Sequence, residues 1–160
     1  MTKDEFLLAK EFIFRDVERE IQLAKTDAAA LQGLGITPGG GNFLAALGLL
    51  CYTEFGGKLR FGVKLTDGRD LASAKFNQFF DLLGQEYQKF RALHNVYDLF
   101  RCGLAHEYYV KNSCTIAMLE VTNGTGLKID GTGHYWVVVE SYCRDLKKAY
   151  DDLQVHLYGP

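Results

Sequence analysis

Proline is scarce: 2 residues in a chain of 160. None falls between Asp70 and Tyr109, so nothing of that kind stops long helices there. Long apolar runs are absent as well. The longest, Phe43 to Tyr52, is too short to span a bilayer, so no membrane association is expected. A charge excess is missing: the net charge is -2, which excludes broad coating of nucleic acid but not a local basic pocket. The 4 cysteines, at 51, 102, 114 and 143, have neither zinc-ribbon nor redox spacing. His94, His106 and His134 also lack metal-ligand spacing. These absences point to a reduced, cytoplasmic chain with no metal and no cofactor. The opening Met1-Thr2-Lys3-Asp4-Glu5 is acidic, unlike a secretory leader. No internal repeat or low-complexity tail is present.

The sequence does have helical periodicity. Thr2 and Glu5 have the form of a capping box. Phe6, Ile13, Val17, Ile21, Ala24 and Ala28 then make an apolar stripe, widened by Leu8, Phe12 and Phe14, with Glu11 and Arg15 placed for an ion pair. Gly33 to Gly41 reads as a flexible connection ending in an Asn42 cap. No Lys-Ser/Thr follows it and no strand precedes it, so it is neither a Walker loop nor a dinucleotide fingerprint. Phe43–Phe55 is apolar nearly all round and should be a central helix, stopped by Gly56-Gly57; Glu54 near its end reads either as an exposed residue, the preferred reading, or as a buried carboxylate paired to a cation such as Arg101. Phe76, Phe79, Phe80, Leu83 and Tyr87 form the next stripe, with a break expected near Gly84 or Lys89. Leu93, Val96, Tyr97, Phe100, Leu104 and Tyr108 continue it.

After Asn112 the period changes. Cys114 to Val121, Leu127 to Asp130 and His134 to Val139 read as strands of a small antiparallel hairpin or meander, with Asn123-Gly124 as a turn. Tyr142, Leu146, Ala149, Tyr150, Leu153 and Leu157 give a last amphipathic helix. The expected fold is mainly α (α+β). It is one domain over residues 1–160, about five helices with the small sheet inserted before the C-terminal helix.

The chemistry concentrates at Phe100 to Tyr109. Arg101 and His106 are the one place where a guanidinium and an imidazole fall close together on a helical stripe. On an ideal α-helix they point roughly 140° apart. Cooperation therefore requires a break at Gly103 or a partner residue from a second copy. Lys58, Arg60, Lys64 and Arg69, with Phe61 among them, form the best candidate basic strip for RNA; the alternative is a solvated loop offset by Asp67 and Asp70. Cys102 and His106, four apart, also have the spacing of a thiolate–imidazole pair, without an oxyanion site to accompany it.

The Arg-x-x-x-x-His spacing in a late helix of a small helical chain resembles the HEPN superfamily. The resemblance implies a helical bundle that dimerises with the motif at its interface. It implies metal-independent ribonuclease activity, or a catalytically silent member serving as a binding or regulatory partner in a toxin–antitoxin or defence setting. The matching positions are Arg101 and His106. Cys102 stands where the family usually has a polar residue. In such a site the imidazole would move protons and the guanidinium would hold phosphate oxygens. Asp98, three residues before Arg101, and Glu107 are placed to orient them.

Overall fold

The computed structural model describes residues 1–62, 72–107, 114–121 and 123–160. The protein is mainly α with a small β part. Helices α1 (Lys3–Lys25), α2 (Ala28–Gly33), α3 (Asn42–Phe61), α4 (Ala72–Phe80) and α5 (Gln85–Leu93) come first. A 3-10 turn, Asp81–Leu83, separates α4 from α5. A π-helix, Tyr97–Glu107, follows, then strands β1 (Cys114–Ala117), β2 (Leu127–Ile129) and β3 (Tyr135–Val138), and finally α6 (Val139–Tyr158). Among the described residues, no helix is long and apolar enough to cross a membrane.

α1 begins at the expected capping box: Thr2 and Glu5 satisfy each other's backbone N–H groups. Phe6, Ile13, Phe14, Val17 and Ile21 are buried. Ala24 and Ala28 are not part of that buried stripe, because α1 stops at Lys25 and the chain turns through Thr26. Leu8 and Phe12 also remain exposed. Glu11 and Arg15 form their i,i+4 pair at 3.5 Å.

α3 is the central helix, longer than the sequence suggests at both ends. Gly41, with a positive φ of 77°, occupies the N-cap instead of Asn42. The Asn42 amide donates to the Ile116 carbonyl of β1 at 3.0 Å. Gly56 and Gly57 do not stop the helix. They let α4 press against it. A Cβ on Gly57 would lie 2.2 Å from the Lys75 carbonyl oxygen, and one on Gly56 would lie 2.5 Å from the Phe79 ring. Glycine serves close approach here, not helix breaking. Across that contact Phe76, Phe79 and Phe80 are fully buried. Phe79 meets Tyr150 edge-on at 5.6 Å, and Phe80 meets Tyr87 at 5.2 Å, within the range aromatic pairs prefer. The break comes at Gly84, whose φ of 138° disfavours any side chain. Leu93, expected on the buried stripe, is 80% exposed, because α5 ends there and the chain reorients before Val96. Tyr108, expected at the end of the same stripe, lies outside the described residues.

The sheet is not wholly antiparallel. Its order is β1-β3-β2, with β1 parallel and β2 antiparallel to β3. Strand propensity and turn signals fix neither the partner nor the edge. Asn123-Gly124 does not close a hairpin between β1 and β2. It lies in a loop held by Glu120, which accepts from the Gly124 N–H at 2.6 Å, and by Arg144, which donates to the Gly124 carbonyl at 2.8 Å. The tight turn is instead Asp130 to Gly133, between β2 and β3. There Asp130 accepts from the Thr132 and His134 backbone N–H groups. Tyr135 and Val137 face inward, and Tyr135 packs edge-on against Phe100 at 5.5 Å. α6 closes the core with Tyr142, Leu146, Ala149, Tyr150 and Leu153.

The glycine contact and the acidic loop are both open to test. Gly57→Ala drives a methyl into backbone and lowers stability by about 2–3 kcal/mol. Gly131→Ala, with nothing near its Cβ position, changes urea stability little and serves as the control. The loop responds to acid. Lys25 and the Glu120 N–H hold the Glu140 carboxyl below its ordinary range, and the Gly124 N–H does the same, first among several contacts, for Glu120. A depressed folded pKa gives stability that is present above the unfolded value and lost as pH falls through the folded one. Stability therefore declines below about pH 4.5, and Glu140→Gln flattens that decline in urea midpoints measured from pH 7 downwards.

Candidate functional site

Arg101 is not met by a carboxylate at the surface. It is met by Glu54 of α3, a residue expected to be exposed and in fact 6% exposed. Cys51, Glu54 and Lys58 follow one another at spacings of three and four along α3 and share one of its faces. Lys58 Nζ lies 2.8 Å from Glu54 Oε1, and Arg101 Nε lies 3.0 Å from Oε2. A buried carboxylate is thus held between two cations. The Arg101 contact is a charge contact without hydrogen-bond alignment: Arg101 Nε and Glu54 Oε2 are both buried, and neither has an aligned hydrogen-bond partner. The short distance supplies the attraction that holds Arg101 on Glu54.

The π-helix presents Arg101 to this cluster. Tyr97 lies near the guanidinium, with the Arg101 Cζ 5.9 Å from its ring centroid, close enough for a cation–π attraction. Burial pushes the Tyr97 hydroxyl upward; the Glu54 charge adds to this and Arg101 opposes it. Cys102 lies within hydrogen-bonding reach of Tyr97. Burial also raises the Cys51 thiol, with Arg101 opposing and Glu54 adding. A raised thiol is a poor nucleophile at neutral pH, so Cys51 is not suited to covalent chemistry.

The wide helix changes the relation of Arg101 to His106. The expected separation of roughly 140° assumes the α-helical turn of about 3.6 residues. A π-helix bonds residue i to i+5, so residues five apart lie nearly one above the other. Arg101 and His106 are five apart and both within Tyr97–Glu107. The helix is not broken at Gly103, which is buried within it. Val96, Phe100 and Leu104, at a spacing of four, are fully buried along it. His106 is exposed in its last turn, as is Glu107, while the Arg101 side chain is 19% exposed. Asp98 is half-buried in the first turn, its backbone N–H donating to Asn95 Oδ1 at 3.3 Å.

Of the expected basic strip, Lys58 and Arg60 lie within the described residues. Lys58 and Arg60 lie in the last turn of α3, not in a loop, and Lys58 is engaged with Glu54. Two residues apart on an α-helix, they point to nearly opposite sides. Lys64 and Arg69 lie outside the described residues. Among the described residues, no group of His, Cys, Asp and Glu is arranged to hold a metal ion.

The buried Glu54–Arg101 pair is the reading of Glu54 that the sequence offers second, behind exposure. The available signal is a lone carboxylate in an otherwise apolar helix, which needs a cation if buried. Removing it tests the cluster. Glu54→Ala leaves Arg101 and Lys58 facing each other and costs about 3 kcal/mol in urea unfolding. The double variant Glu54→Ala/Arg101→Met recovers most of that loss, whereas Lys58→Ala, at a partly solvated position, costs at most about 1 kcal/mol. Additive losses in that cycle would contradict a coupled pair. Comparisons with protein-family models, with curated proteins and with solved structures each give no match.

Proposed function

We propose that this chain is a metal-independent endoribonuclease of the HEPN type, working as a homodimer with Arg101 and His106 in a composite cleft. The observation that supports the reading is the π-helix, whose i to i+5 register turns the two motif residues toward the same side of the helix, in place of the wide angle of an α-helix. Arg101 enters that side anchored at Nε by Glu54. One carboxylate against two cations leaves the cluster positive, which suits a phosphate. Arg101 stabilises charge on the pentacoordinate phosphorus, and His106 exchanges protons with the ribose hydroxyl or the leaving oxygen. A second copy supplies the second imidazole, so that base and acid are both present.

A second reading is favoured by one observation: Arg101 is already committed to a buried carboxylate. On that reading the motif is structural and the chain is a binding or regulatory module without catalysis.

The assay is cleavage of a mixed RNA pool with EDTA present. The enzyme reading expects cyclic phosphate ends. It expects His106→Ala, at an exposed position, to fold normally and lose about 100-fold or more in rate. Arg101→Lys keeps the charge at the buried pair but loses the fork, and is expected to fold and to lose most activity. A folded dimer that leaves the RNA intact supports the binding module. A monomer in gel filtration counts against both readings.

A further inference from the structure

The outer face of the small sheet carries a second constellation, on elements other than those that hold Arg101. Registry places Thr115, Trp136 and Lys128 in one row across β1, β3 and β2. Tyr135 and Val137, on the opposite parity of β3, are buried against the helices, so the Thr115–Trp136–Lys128 row faces outward. Trp136 is the single tryptophan of the chain and sits in the central strand, part-buried, where a polar residue is the usual choice. Its indole is held in place. Nε1 donates to Asp130 Oδ2 at 3.1 Å, and the His134 ring meets it edge-on at 5.6 Å. The exposed Lys128 lies over the ring, Nζ 5.7 Å from its centroid, in cation–π reach.

The polar groups around the ring discriminate between ligands. Asp130 already accepts from Trp136, from the Thr132 hydroxyl and N–H, and from the His134 N–H. The Thr115 hydroxyl is paired with His134 Nε2 at 2.9 Å. A sugar would need such groups at liberty, and they are occupied. Lys128, by contrast, makes no ion pair among the described residues. What the face offers is an oriented aromatic ring and, over it, an ammonium that a phosphate can draw away from a weak cation–π contact. That combination fits a ligand with a π-face next to an anion.

We propose that this face binds single-stranded nucleic acid, one base stacking on Trp136 and an adjacent phosphate held by Lys128. The site does not depend on whether Arg101 and His106 cleave RNA. It is therefore tested in the His106→Ala full-length chain, so that a failed cleavage assay leaves the result readable. The probe is a single-stranded 12-nucleotide RNA without secondary structure. Because Trp136 is the only tryptophan, its fluorescence reports the site directly, and quenching on titration is expected. In anisotropy with labelled RNA, Trp136→Ala weakens binding by about 5- to 100-fold, while Trp136→Phe retains most of it. Lys128→Gln lowers the slope of log affinity against log salt by about 0.7. Circular dichroism and urea midpoints establish that each variant is folded. The proposal is overturned if RNA leaves the fluorescence unchanged, if neutral oligosaccharides quench it at lower concentration than RNA, or if folded Trp136→Ala binds as well as its parent.

Discussion

A carboxylate taken out of water must be compensated by cations, and Glu54 is compensated from two directions. Lys58 reaches it from one turn further along α3, and Arg101 reaches it from the π-helix. The desolvation of a buried ion costs several kcal/mol, offset here mainly by the buried Arg101 and in smaller part by the partly solvated Lys58. The pair with Arg101 therefore fixes how the π-helix is rotated on the central helix. Phe100 and Leu104 must face the core while Arg101 faces Glu54. The i to i+5 winding accommodates both demands along one segment. The π-register is thus tied to the placement of one charge, not to local propensity.

The same central helix is fixed on its other side by absence of side chains. Gly56 and Gly57 bring α4 so close that its Lys75 backbone occupies the space of a β-carbon. That approach seats Phe76, Phe79 and Phe80 against α3 and α6, where the Phe79 and Phe80 rings meet Tyr87, Tyr142 and Tyr150 edge-on or tilted. Lys75 itself is buried and donates to the Phe61 carbonyl at 3.0 Å, placing a cation at the C-terminus of α3 where the helix dipole favours it. One helix face is therefore defined by contact of backbones, and the face with Glu54 by paired charges. An apolar helix with two such constraints has little freedom to slide or turn.

Much of this was legible in the residues. The capping box, the stripes of α1 and α6, the break at Gly84 and the three strands follow from spacing and turn chemistry alone. What was not legible required knowing a neighbour. Gly56-Gly57 reads as a stop until α4 is placed against it. Glu54 reads as exposed or as buried with a cation, and only the placement of Arg101 over it decides between them. The antiparallel expectation held for β2 and β3 and failed for β1, because a strand's sequence does not say which edge it joins. The wide angle between Arg101 and His106 was correct arithmetic on the wrong helix, since no residue pattern distinguishes a π-helix from an α-helix of the same apolar spacing. Trp136 is a different case. Tyr135 and Val137 inward imply His134 and Trp136 outward, so the aromatic on the solvent face was present in the alternation of β3 itself.

Long-range electrostatics does not favour a polyanion on a chain of net charge -2. At physiological salt, however, charges beyond about 8 Å are largely screened. Only the charges within that distance of a bound phosphate then matter. In direct contact in the Arg101 cluster are one carboxylate and two cations. Near Trp136 are one ammonium and a carboxylate whose acceptor sites are filled by Trp136, Thr132 and His134. Both places present a positive group without a broad basic surface. On the proposed reading, recognition of nucleic acid rests on stacking and on one or two oriented cations. Its dependence on salt is accordingly shallow, unlike that of a protein which neutralises many phosphates at once.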